Sequence, residues 1–550
     1  MDSKTFMVAY RKAGSVKKVA QHWGCTYGFA RKGYLAALAE GLIERLPVGR
    51  KATRTTKPGS VEVSGGQLQA LATPASPLPA HGVKRYLFTC AQNDTRLHEP
   101  FWDNLKVLAA HYDAEIHVSR FAYVKAGLGT GGDKSLFGKR NPSQTGNDMI
   151  WDPRLTPYLS DTRLEVAPGL VWCGEMNILP TASRPLSGFE TYTGRRSAIF
   201  PHVKIALESI ASSRGQPAKF NYTTGAVTQR NYIQKKAGLK AEFHHCYGAL
   251  LVEVDSAGDW FCRQINADSE GTIYDLDLKV SDQLVTTGIQ PVAITWGDIH
   301  VAELDPGIAE LNWGDGGILD TLRPHNQFFH DVLHFRGRSH HEVKNPHKMF
   351  VRFLQGFDNV KEEVKKASDF LWKTARSGVA AFVVDSNHHH HVARWLQEQD
   401  GRFDPVNSLY WLALNQQVYQ TLAAGRTPNY LEEAFIAADK NPPVIFLGQD
   451  ESWITCPDAH GGIENGMHGD LGPNGSRGSA LNLSKMGRKA IIGHSHSARI
   501  VDSIYQVGTC GTLDPDWSAG PSSWSHSHCV TYPNGKRAII TLFNGKWRAT

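Results

Sequence analysis

The chain has no apolar run approaching the roughly 18 residues that a membrane span requires, and its mean hydropathy is −0.34. An integral membrane protein is not expected. The start, Met1-Asp2-Ser3-Lys4, lacks the apolar core of a secretion signal, which points to a cytoplasmic protein. Eight cysteines occur without a single CxxC pair, which argues against a disulfide scaffold and the common zinc-finger spacings and fits a reducing compartment. No Walker pattern is present. The Gly-rich stretch Gly127–Gly132, near Lys134, Lys139 and Arg140, reads as a flexible loop. What remains is an ordinary globular composition, 41% hydrophobic and 20% charged, over 550 residues, which is enough for two to four domains.

Charge is unevenly placed. Residues 1–60 carry 12 Lys and Arg against 3 Asp and Glu, a balance of +9, so the other 490 residues sum to −3 against the total of +6. Residues 1–46 read as a helical unit with an apolar face at Val16, Val19 and Ala20. A tight turn at Gly24-Cys25-Thr26-Tyr27-Gly28 then leads into a basic second helix. That is a helix-turn-helix pattern, with Lys17, Lys18, Arg31 and Lys32 as DNA-contacting candidates. A small bundle with a solvated basic face would give the same pattern. Residues 47–83, rich in Pro, Thr, Ser and Ala, read as a flexible linker. Residues 84–290 alternate strands with helical stretches (a strand near Arg85, a helix from Phe101 to Tyr112, a strand at Glu115) and read as an α/β domain without a catalytic motif.

Of the 25 histidines, 15 fall between His300 and His496. In residues 291–550 one pattern recurs: a buried strand, then a turn of polar, ligand-type residues. The strand at Pro291 runs into Gly297-Asp298-Ile299-His300, and Asn326-Gln-Phe-Phe-His runs into Asp331. The strand at Val379 runs into Asp385-Ser386-Asn387-His388, and Lys489-Ala-Ile-Ile runs into Gly493-His494-Ser495-His496. In α/β sheets the C-terminal strand edge is where sites collect. In an extended segment, residues i and i+2 project to the same side, so Asp298 with His300, and His494 with His496, are each expected to present two ligands to one cavity. Carboxylate, imidazole and amide oxygen without thiolate suit Mn²⁺ first, then Mg²⁺, Fe or Zn²⁺. Singly, each turn is ordinary: Asp after Gly is common turn chemistry, and Asn387-His388 could cap a helix. Together, in one α/β region, they predict two divalent ions.

The ordered set Asp298-Ile-His300, Asp331, Asn387-His388, His468 and Gly493-His494-Ser-His496 resembles the calcineurin-like metallophosphoesterases. The resemblance covers roughly residues 290–545 and implies a four-layered α/β/β/α sandwich. It also implies one metal on Asp298, His300, Asp331 and His496, a second on Asp331, Asn387, His468 and His494, and His388 as the acid facing the leaving oxygen. Three departures stand out. Asp331 is not in a GDxxD context, with Asp315 as a rival; Ser386 and His389 replace the usual Gly and acidic residue; and His460 competes with His468. Arg336 and Arg338, with His340 and His341, follow the bridging aspartate and are candidate phosphate clamps.

The Ser/Thr phosphatase signatures GDYVDRG and GNHE are absent. With the basic N-terminal unit, the chain is similar to the pre-early DNA-degrading phosphoesterases of tailed phages. His330-Asp331-Val-Leu-His-Phe and His468-Gly-Asp-Leu-Gly-Pro-Asn-Gly carry that closer likeness. It implies a metal-dependent DNase acting on host DNA in the host cytoplasm, with DNA as partner, no membrane, and a homo-oligomer as an option. A phosphomonoesterase or cyclic-nucleotide phosphodiesterase using the helical unit for oligomerisation is the alternative. A DNA-binding regulator with a vestigial core is a third.

Overall fold

Short, largely buried strands and polar turns set the architecture of the candidate region. Ala293–Thr295, Asn326–Phe329 and Ala380–Val383 pair in parallel, and Ile445–Phe446 continues the ladder beyond them. On the other side, Ser527–Thr531 and Arg537–Thr541 complete a six-stranded sheet in antiparallel register, Ile294 opposite Val530. The computed structural model describes residues 73–74, 78–79, 81–123, 150–458, 461–515 and 518–550, and contains ten α-helices and twenty-four strands among them.

Helices cover one face of this sheet. Ile294, Phe329, Val383, Val530 and Ile540 form one core with Ile308, Leu319, Val364, Leu371, Trp395, Leu414 and Phe435. The helices start where side-chain caps demand it. Asp305 accepts from the N–H groups of Gly307 and Ile308 before Pro306–Trp313, Asn359 from Glu362 before Val360–Thr374, and Asn429 from Leu431 before Tyr430–Ala437. The opposite face, through Cys529 and Ile539, joins a core with Trp172, Ile199, Ile491, Ile500, Leu250 and Val252 from two further sheets.

The larger of those sheets has eleven strands and mixes both halves of the described chain. Leu207–Ile210 pairs with Arg499–Val501 (Leu207 opposite Ile500), and Ile463–Glu464 runs parallel to Lys489–Ile492. The boundary expected at residue 290 is therefore not a domain boundary. Strands before and after it share one ladder, and the described residues on both sides of it belong to one compact unit. The expectation failed because alternation of apolar runs reports local elements, whereas this pairing joins segments nearly 300 residues apart. A four-stranded sheet, Val83–Gln92 between Ala114–Phe121 and Gly248–Asp255, with Trp260–Asn266 beyond, packs under the helix Glu99–Tyr112.

Within the expected linker, Thr73–Pro74 forms a two-residue strand parallel to Leu164–Glu165, so the end of that segment is docked. The helix-turn-helix unit with Lys17, Lys18, Arg31 and Lys32, the Gly127–Gly132 loop and His460 lie outside the described residues. No helix among the described residues is long and apolar enough to cross a membrane, and the seven described cysteines are all free.

Candidate metal centre

The turns after the three parallel strands converge with two turns from the eleven-stranded sheet. Asp298 is locked by its backbone: its N–H donates to Gly508 O at 3.0 Å, and its carbonyl accepts from Cys510 N–H at 2.7 Å and from Thr509 Oγ1 at 2.9 Å. Gly297 makes this approach possible, since a Cβ there would lie 2.8 Å from the Gly508 carbonyl carbon. The next turn is tied to it, with His300 N–H donating to Asp331 O at 2.8 Å. His389 links the third turn to the second, its Nε2 accepting from Val332 N–H at 3.1 Å. The residue that departs from the acidic pattern thus holds two ligand-bearing loops in register.

Side chains then meet across the two sheets. His496 Nε2 lies 3.2 Å from Asp298 Oδ2 and 3.0 Å from His300 Nε2, and His300 Nε2 lies 3.6 Å from Asp331 Oδ2. Asp298, His300, Asp331 and His496 form one group able to hold a cation, and all four are buried. Beside it, His468 Nε2 is 3.2 Å from Asp331 Oδ2 and 3.0 Å from Asn387 Oδ1, which His494 Nδ1 approaches at 3.1 Å. Asp331 therefore touches both groups. Asn387, His388 and His494 are half-buried and form the accessible rim. Asp315, the rival to Asp331, is exposed in a turn between helices.

The extended geometry expected for these turns is not what brings the ligands together. His300 (φ 47°), Asp331 (φ 47°), His494 (φ 71°) and His496 (φ 55°) all adopt left-handed backbone conformations. For non-glycine residues this costs on the order of 1–3 kcal/mol each and concentrates at functional sites. A straight strand alternates its side chains, whereas these kinks turn successive ones into a single cavity.

Electrostatics match a cation site. Burial pushes the His300 imidazole well below its usual range, opposed by Asp331 and aided by His388 and His496. Burial likewise holds His330 at about 4 and depresses His494. Neutral imidazole is the ligand form. For Asp331, burial raises the carboxyl, but His468 and His388 outweigh it and hold it well below the usual carboxylate range. His468 is the counterpart: burial lowers it, Asp331 raises it more, and it stands at about 9. A proton on His468 thus occupies the place of a positive charge.

The donor set passes a direct test of fit. Both carboxylate oxygens of Asp298, Asp331 Oδ1, His330 Nε2 and His496 Nδ1 are buried without a hydrogen-bond partner. Two buried carboxylates with orphaned oxygens are costly unless a cation satisfies them. Gly493 frames the pocket, since a Cβ there would lie 2.1 Å from Asp298 Oδ1 and 3.2 Å from His330 Cγ.

His388 packs its ring 4.7 Å from His300, 4.9 Å from His334 and 5.0 Å from His391, with Nδ1 3.4 Å from the His334 carbonyl. Three site residues escaped the sequence reading. His330 forms a further group with Asp298 and His468, His334 Nδ1 lies 3.1 Å from His300 Nδ1, and His389 has the linking role above. A His every fourth position, His330 and His334 flanking Asp331, was the available signal.

Arg336 and Arg338 are placed differently from the expected phosphate clamp. Both are buried. Arg336 pairs with Glu303 and stacks on Phe357, and Arg338 holds Asp404 at 2.5 and 3.0 Å. A phosphate would have to compete with these carboxylates.

The fold and site define a mixed α/β protein with His/Asp groups able to hold metal at a junction of two sheets. The chain is 35% identical to Protein A1 of Escherichia phage T5 over 481 residues, spanning 85% of this chain and 83% of the phage protein, and it belongs to that family. No family model matches the chain, and no solved structure does.

Proposed function

We propose that the chain is a divalent-metal-dependent deoxyribonuclease of the metallophosphoesterase type, holding two cations through a shared Asp331. The observation that carries this is the meeting of Asp298, His300, Asp331 and His496 on one side with Asn387, His468 and His494 on the other, with buried carboxylate oxygens left unsatisfied between them. When bound, divalent ions there would supply Lewis acidity toward a phosphoryl group and lower the pKa of water, so that a hydroxide nucleophile is available near neutral pH.

The chain's own residues do the rest. Asp298, locked by Gly508, Thr509 and Cys510, fixes one end of the site. His389 holds the Asp331 loop against the Asn387 loop, so the two ligand groups keep their spacing. His388 stands on the accessible rim, its Nδ1 3.4 Å from the His334 carbonyl; as an imidazolium it would keep its Nδ1 proton on that carbonyl and give its Nε2 proton to the departing alkoxide, ending as neutral imidazole. DNA as the substrate rests on the +9 balance of residues 1–60, which favours a polyanion, on membership of a phage protein family, and on the likeness to DNA-degrading phosphoesterases.

The test is cleavage of labelled linear and closed circular DNA by purified protein with Mn²⁺. Asp298→Ala and His388→Ala should each lose cleavage by at least about 10²-fold. Undiminished cleavage in both would remove the site. Turnover of a small phosphodiester that DNA fails to inhibit would leave the chemistry standing and reject DNA as substrate.

A further inference from the structure

A second histidine cluster lies outside the ligands above. His340 and His341 follow the turn Arg336–Arg338, and His391 sits in the first turn of the helix His390–Glu398. The ring centroids are 3.7 Å apart for His340 and His341, 4.8 Å for His340 and His391, and 5.6 Å for His341 and His391. One ring nitrogen from each lies within 4.8 Å of the other two. His340 Nδ1 and His391 Nδ1 are buried without a hydrogen-bond partner.

The loop carrying two of these rings is anchored on both sides. Arg338 is held by Asp404 at 2.5 and 3.0 Å, and Glu342 is held by Arg352 at 3.0 and 3.1 Å and by Lys348 at 2.8 Å. On the helix, Val392, Trp395 and Leu396 face the core with His391 and fix the ring's direction. The cluster is therefore built into the framework. Nearby charges pair with each other, Arg394 with Glu398 at 2.7 Å.

The geometry points to a third cation site, formed by His340, His341 and His391 and separate from the Asp331 centre, that takes a borderline ion of the Zn²⁺ class. Three neutral nitrogen donors without a carboxylate suit Zn²⁺, Co²⁺ or Ni²⁺ and not Mg²⁺, Ca²⁺ or Mn²⁺. Zn–N bonds of about 2.0–2.1 Å around a tetrahedral ion bring the nitrogens to about 3.4 Å from one another, a shift of about 1 Å or less per ring. His341 is exposed, so a fourth position opens to solvent, the arrangement of a site that admits water or an exogenous oxygen ligand. His391 lies 5.0 Å from His388, whose ring lies 4.7 Å from His300, so the two groups adjoin through His388 but share no ligand residue.

The site is tested on the full-length chain, stripped by a chelator and titrated with Co²⁺ as the spectroscopic probe and Zn²⁺ for stoichiometry. Wild type should show an intense tetrahedral Co²⁺ band. His341→Ala, at an exposed position that leaves melting unchanged, should lose that band and bind one Zn²⁺ fewer than wild type. Asp298→Ala should keep the band. His391→Gln serves as a second variant and should weaken Co²⁺ binding by at least tenfold. Wild-type stoichiometry and spectrum in both histidine variants would overturn the site, as would loss of the band in Asp298→Ala. The inference does not rest on the proposed nuclease: were Asp298→Ala to leave DNA cleavage intact, the His341-dependent equivalent of Zn²⁺ would still be measured.

Discussion

Gly493→Ala is the smallest change that reaches the centre of the account. The added methyl would fall 2.1 Å from Asp298 Oδ1 and 3.2 Å from Asp298 Cγ. Ordinary carbon contacts stand at about 3.5–4.0 Å, so either the carboxylate or the Gly493 backbone must move by more than about 1 Å. Asp298 has little room to retreat, because its N–H and carbonyl are bound to Gly508, Thr509 and Cys510. Gly493 is held by its own N–H, which donates to His468 O at 2.8 Å. Overpacking of this kind costs about 1–3 kcal/mol of stability, whereas displacing a ligand by about 1 Å costs on the order of 10²-fold in rate, or about 2.7 kcal/mol of barrier. DNA cleavage with Mn²⁺ and Mn²⁺ affinity should fall together by that factor while the chain still folds, as read by thermal melting. A folded Gly493→Ala protein with wild-type cleavage and Mn²⁺ affinity would refute the placement of Asp298 in the reacting centre.

Acid should expose a second buried network. Glu253 pairs with Arg263 at 2.7 Å and Arg85 at 2.9 Å; burial alone would raise its carboxyl, but the two guanidiniums hold it down from 4.5 to about 2. A depressed carboxyl stabilises the fold above its unfolded pKa, and that contribution, about 3 kcal/mol, is lost as pH falls from about 4.5 through about 2. Denaturant midpoints across this range should show the loss, and Arg263→Met should cost about 3–5 kcal/mol by leaving buried Asp275 without a guanidinium and Glu253 with Arg85 alone; a flat profile would contradict the pairing. His468 has the opposite sign. In cation-free protein its raised pKa contributes stability that is full below about 6.5 and lost as pH rises through about 9. Since cation binding must displace that proton, calorimetry in buffers of different ionisation enthalpy at pH 7.5 should register proton release, and its absence would place His468 outside the ligand set.

The strand-to-turn units were legible because each is local: a buried apolar run followed by Asp298, Asp331, Asn387 or His494 is visible without knowing what lies opposite. The expected strand at Arg85 and helix at Phe101 appear as Val83–Gln92 and Glu99–Tyr112 for the same reason. What was hidden is non-local. The pairing of Leu207 with Ile500 erases the boundary at residue 290, and no periodicity in either segment announces it. Arg336 and Arg338 look like free cations in sequence because Glu303 and Asp404 are distant along the chain. The left-handed backbone at His300, Asp331, His494 and His496 is only faintly marked in the sequence: Asp and His adopt it more often than other non-glycine residues, but most described Asp and His residues of the chain do not.

The central claim, a pair of cations sharing Asp331, is tested most directly by electron paramagnetic resonance of the full-length protein loaded with two equivalents of Mn²⁺. The account predicts an exchange-coupled spectrum from two ions about 4 Å apart, which Asp331→Ala reduces to that of isolated Mn²⁺. Uncoupled Mn²⁺ in the wild type, or coupling that survives loss of Asp331, would contradict it.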